Sequence, residues 1–114
     1  MVGPASLKRE HIFEINALVG EYSFRISELP TMKVRVKIWE ADVSHFGDRY
    51  FYTISHHVHT PTQIGPYFPS APFGATEAAT IRRAIKDTLS FYIDAIGEGH
   101  APSNDWFIEN KDFD

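Results

Sequence analysis

The stretch FGATEAATIRRAIKDTLSFYIDAIGEGH, residues 73–100, decides the fold. Ile81, Ile85, Leu89, Tyr92 and Ile96 recur at intervals of three and four, and Ala84, Thr88 and Ala95 widen the same stripe. That period belongs to a helix burying one face. Arg83, Asp87, Ser90 and Asp94 fall opposite. Thr76 can accept the first free backbone amides, and Glu77 sits in the first turn, where the helix dipole favours an anion. Gly97 and Gly99 can take positive φ, and Pro102 cannot continue a helix. The spacing predicts a helix over residues 76–97, roughly 30 Å long, and its stripe needs a surface to cover it.

The preceding residues supply that surface, because their period is two. Tyr22, Phe24 and Ile26 alternate with Ser23, Arg25 and Ser27, and Pro30 marks a turn. Met32, Val34, Val36 and Ile38 then alternate with Lys33, Arg35, Lys37 and Trp39, as in a strand with one buried side. Residues 40–48 are polar, contain Gly47 and read as a connection. Over residues 49–59, Tyr50, Tyr52, Ile54 and Val58 alternate with Phe51, Thr53, Ser55, His57 and His59, which leaves His56 on the core side. Short connections make residues 22–59 an antiparallel three-strand meander.

The flanks are less regular. Residues 1–20 form an N-terminal arm in which Leu7, His11, Ile15 and Leu18 suit a short helix capped by Ser6, the preferred alternative, while Phe13, Ile15, Ala17 and Val19 suit a strand. Residues 60–75 carry Pro61, Pro66, Pro69 and Pro72 among Tyr67, Phe68 and Phe73, which excludes a central strand and leaves an extended loop or an edge strand pinned by its aromatics. Residues 105–114 read as a packing hook or short strand followed by an acidic tail expected to fray. The whole is one α+β domain. It is a two-layer sandwich, a three- to four-stranded antiparallel sheet with one long helix packed on one face and the other face open.

Composition narrows the function. A chain of 114 residues with 43% hydrophobic content can build its own core. The absence of cysteine excludes disulfide scaffolds, cysteine-ligated zinc and thiol nucleophiles. No apolar run approaches a membrane span and residues 1–20 lack a continuous apolar core, so a soluble, cytoplasmic protein without membrane partners is expected. The net charge of −4 disfavours nucleic acid as the partner of the whole chain.

The run Gly74-Ala75-Thr76-Glu77-Ala78-Ala79, then Ala84-Ile85 in a helix ending near Tyr92, then Gly99-His100-Ala101-Pro102, resembles HicB-like proteins over roughly residues 32–105. The proline-rich run before the helix departs from that family's pattern. The resemblance implies a partial, double-stranded-RNA-binding-domain-like fold, oligomerisation and the binding of a small RNA-cleaving toxin, with no catalysis.

The open sheet face carries the candidate site. Arg35, Lys37, Trp39, Phe51, His57 and His59 should project together, and aromatic anchors beside arginine are what binding surfaces favour. A homo-oligomer and a protein partner are the expected associations, through the face or an edge of the sheet. Stacking of single-stranded bases on the rings is the nucleic-acid alternative. His57 and His59, two apart on a strand, could chelate a divalent metal, the one cofactor candidate, with His45 and His100 as the remaining histidines of interest. With the aromatic loop they form the alternative, a small-molecule or metal site. Asp42 and Asp48 beside His45 suit turn residues as well as general-base chemistry. No nucleophile elbow, phosphate-cradling glycine loop or spaced acid pair is present, so no catalytic residue is assigned.

Overall fold

The structure, a computed structural model, describes residues 3–114. Its strands are β1 (Ala17–Ile26), β2 (Leu29–His45), β3 (Asp48–Ile54), β4 (His56–Val58), β5 (Phe73–Gly74) and β6 (Phe107–Glu109), and the α-helix among the described residues is α1 (Glu77–Gly97). Strands β1, β2, β3 and β5 lie side by side in that order as an antiparallel sheet, and β4 pairs with β6 in a second, two-stranded one. The helix covers one face of the larger sheet, which is the expected α+β sandwich.

The helix begins as its sequence dictates. The Thr76 hydroxyl accepts the Ala79 amide at 3.0 Å, and Gly99 takes φ +92° just past the C-terminus. Its buried centre is narrower than the apolar stripe: Thr80, Ala84, Thr88, Tyr92 and Ala95 are buried, whereas Ile81 and Leu89 pack at the margin and Ile96 is exposed. Small residues at the centre let the helix approach Val34, Val36 and Ile38, which are fully buried. The threonine hydroxyls are satisfied within the helix, Thr88 donating to the Ala84 carbonyl at 2.9 Å and Thr80 to that of Thr76 at 2.7 Å. Asp87, expected opposite the buried stripe, stands instead at its margin and accepts the Tyr52 hydroxyl at 2.8 Å, and burial together with that carboxylate pushes the phenol pKa well up.

Three boundaries differ from expectation. Residues 40–48 are not a loop: β2 continues to His45 and turns through Phe46 and Gly47, with φ +51° and +87°, the two-residue geometry that suits hairpin twist. The polar residues there have a purpose the periodicity does not reveal, since Asp42 is buried and holds the N-terminal arm by pairing with Lys8 and accepting the Ile15 amide at 3.3 Å. The arm itself forms a single 3-10 turn, Pro4–Leu7, before β1, rather than the preferred α-helix, and His11 at φ +71° interrupts any helical continuation. Finally, the third strand divides at a bend on Ser55. There the Ser55 hydroxyl accepts the Arg35 amide at 2.8 Å, and the Ser55 carbonyl accepts the Asn110 amide at 2.8 Å, so pairing passes from β2 to β6.

Residues 105–114, expected to end in a fraying tail, are docked against the rest of the domain. Trp106 and Phe107 are buried and set their rings 5.8 and 6.4 Å from Tyr92, and Phe113 is 7% exposed. Tyr92 donates to Glu28 at 2.7 Å, and burial first and this carboxylate second push its pKa up to about 12.

Candidate interaction surface

Register lines up four large side chains across the sheet face opposite the helix. Leu18 on β1 stands opposite Trp39 on β2, Trp39 opposite Phe51 on β3, and Phe51 opposite Phe73 on β5. The row therefore crosses every strand of the larger sheet. The Trp39 and Phe51 rings lie nearly parallel, 13° apart with centroids at 6.3 Å, and Phe73 meets Phe51 edge-on at 6.4 Å. The Trp39 indole N–H donates to the Thr53 hydroxyl at 3.0 Å, fixing the ring and leaving it no unmet polar demand. Leu18, at the end of the row, is 50% exposed. Towards the other end of the row Phe51 and Phe73 border a cavity of about 320 Å³ shared with Glu14, Ala41, Asp42, Ser44 and Pro72.

Two of the cations expected on this face, Arg35 and Lys37, are already occupied. Both lie over the Phe113 ring, the Lys37 ammonium 4.4 Å and the Arg35 guanidinium 5.0 Å from its centroid, within cation–π range. Asp114 accepts from Lys37 at 3.1 Å and from Arg35 at 3.1 Å, and Lys37 also donates to the Phe113 carbonyl at 3.1 Å. These contacts, Lys37 foremost, hold the Asp114 carboxyl below its ordinary pKa, and Glu21 with Asp114 raises that of Arg35. The face is thus divided. Its Arg35 and Lys37 end is covered by the chain's own tail, and its Trp39 and Phe51 end is not.

The histidines part company with these residues, because β4 no longer belongs to the larger sheet. The His57 ring packs on Phe68 of the proline-rich loop, centroids 4.5 Å apart, and its Nδ1 is buried without a hydrogen-bond partner. A cavity of about 150 Å³ lined by Tyr52, Thr53, Ile54, Pro69, Pro72 and Asn110 adjoins it. His59 is partly buried and pairs through its amide with the Trp106 carbonyl at 2.7 Å. His56, expected on the core side, instead lines a cavity with Lys33, Arg35, Phe113 and Asp114, and its Nδ1 is 2.8 Å from the Ser55 hydroxyl. Desolvation lowers its pKa. Among the described residues no group of three or more histidines or carboxylates is placed to hold a metal ion. The His45 side chain lies outside the described residues, and His100 is exposed after the helix.

Leu18, Phe73 and Phe113 are the residues the sequence left unassigned here. Phe113 had a signal of its own, a lone aromatic among acids that matches a basic strand face. Among the described residues no helix is long and apolar enough to cross a membrane. The chain matches no family model, no curated protein and no solved structure.

Proposed function

We propose that this chain is a HicB-like binding domain without catalytic activity, which self-associates and holds a protein partner against its sheet. The observation that carries it is the row Leu18, Trp39, Phe51, Phe73, apolar side chains aligned by register on the face that no helix covers. Such a row serves no core, and large rings immobilised at a surface are what binding hot spots are made of. Arg35 and Lys37 favour a protein over a nucleic acid, because Asp114 and Glu21 are already paired with them and a phosphate backbone would have to displace these carboxylates. The partner class that the resemblance suggests is a small RNA-cleaving toxin.

The test is co-purification with the product of the adjacent reading frame, together with light scattering. Trp39→Ala and Phe51→Ala are each expected to weaken partner binding by about 2 kcal/mol or more, roughly thirtyfold, with little change in thermal unfolding. Retention of the partner at parental affinity by both variants would sink the proposal. So would a monomer at every concentration, for the self-association it includes.

One observation favours a second function, a small-molecule site at His57 and the aromatic loop: the unpartnered Nδ1 beside a cavity. A fragment screen read by the His57 imidazole resonances addresses it. Finding no fragment that shifts them would remove it.

A further inference from the structure

The two edges of the larger sheet are built differently. At one edge β5 is two residues long and follows Pro72, and short strands and prolines are how proteins blunt an edge. At the other, β1 is ten residues long and contains neither proline nor lysine. Its pairing with β2 is regular from Gly20 to Arg25, between irregularities at Leu18/Gly20 and Arg25/Ile26. A regular strand with an unprotected edge presents a row of backbone donors and acceptors to another strand.

We infer that this edge pairs with the β1 strand of a second copy, antiparallel about a two-fold axis through Ser23. This rests on the self-association proposed above and names where it occurs. Charge complementarity sets the register. On the outer face Glu21 and Arg25 are exposed and lie equally far on either side of Ser23, so each glutamate of one copy stands opposite the arginine of the other, twice by symmetry. On the helix face the same register sets Tyr22, 41% exposed, opposite Phe24, again twice. Opposed charges and opposed aromatics are the stabilising cross-strand pairs, and like charges directly opposite are destabilising. Sliding the strands one way brings glutamate onto glutamate, and sliding them the other way brings arginine onto arginine. Both side chains have capacity to spare: Arg25 donates through one nitrogen to the Pro30 carbonyl at 2.9 Å, and Glu21 accepts from Arg35 through one oxygen at 3.2 Å. The result is one continuous antiparallel sheet of two copies with both aromatic rows on the same side, an isologous and closed arrangement.

The chain lacks cysteine, which makes the register directly readable. Under mild oxidation Ser23→Cys should cross-link to a covalent dimer, since the two-fold opposes residue 23 to itself within disulfide reach. Glu21→Cys or Arg25→Cys alone should not, while a mixture of the two should. By sedimentation, Arg25→Glu should weaken the dimer at least tenfold, and Glu21→Arg combined with Arg25→Glu should restore it. A dimer that forms while Ser23→Cys stays unlinked and the charge variants are silent would overturn this placement and leave self-association standing. A monomer at all concentrations would overturn both.

Discussion

At Gly74 the absence of a side chain is a structural requirement of the helix seat. A Cβ built there would stand 2.2 Å from the Thr80 hydroxyl and 3.0 Å from the Thr80 Cα and amide nitrogen. Thr80 cannot swing away, because its hydroxyl is committed to the Thr76 carbonyl and its residue is fully buried. The contact of Gly74 with Thr80 therefore sets how closely β5 and the first turn of α1 approach. Gly74→Ala is expected to lower stability by roughly 1–3 kcal/mol, as overpacking of a tight contact does, read as a lower urea midpoint at unchanged slope. Thr76→Ala is a milder control at about 1 kcal/mol, the usual cost of a lost N-cap. An unchanged midpoint for Gly74→Ala would show that the helix can ride up at no cost.

At the scale of elements, the end of the docked tail is held in part by charge. Asp114 has its carboxyl pKa lowered from the ordinary value of 3.8 by Lys37 and Arg35. A depressed carboxyl contributes its stabilisation above that ordinary value and loses it as pH falls through the lowered one. The tail should accordingly stay docked at neutral pH and release only in acid, as pH falls from the ordinary carboxyl value through the lowered one, seen as the loss of ring-current shifts on Lys37 from Phe113. Asp114→Asn at neutral pH should reproduce the acid spectrum in part, because Phe113 still packs against the cations. A tail whose signals ignore both changes would mean that the ring alone secures it.

The same scale explains what could be read in advance. The helix was legible because Thr76, the apolar stripe, Gly99 and Pro102 all act within a few residues of one another, and β2 was legible because Val34, Val36 and Ile38 alternate without interruption. The candidate row was half legible: Trp39 and Phe51 follow from alternation, but Leu18 joins them only because a bulge at Val19 shifts the register, and Phe73 only because β5 closes against β3. His57 and His59 were misplaced for a local reason with a distant cause. The bend at Ser55 is held by Asn110, more than fifty residues on, so periodicity carried past it has no meaning. The centre of the helix stripe shifted for a similar reason. Which of two adjacent flanks faces the sheet depends on where β5 and Gly74 seat the first turn.

For the whole molecule, the pairing of β4 with β6 differs in kind from the rest of the architecture. β1, β2 and β3 meet through turns of a few residues, whereas β4 and β6 are joined only after the chain has passed through the loop and all of α1. Closing so long a connection costs entropy before any contact rewards it, so such pairings form late and reopen early. The hairpins and helix should fold first as one cooperative body, with residues 104–114 docking afterwards. In native-state hydrogen exchange the His59 and Asn110 amides, each bonded across that junction, should exchange through smaller openings than those of Val34 to Ile38. Each such opening would briefly uncover Arg35 and Lys37, so the basic end of the sheet has a lifetime rather than a fixed exposure, timed by the stability of the last strand to arrive.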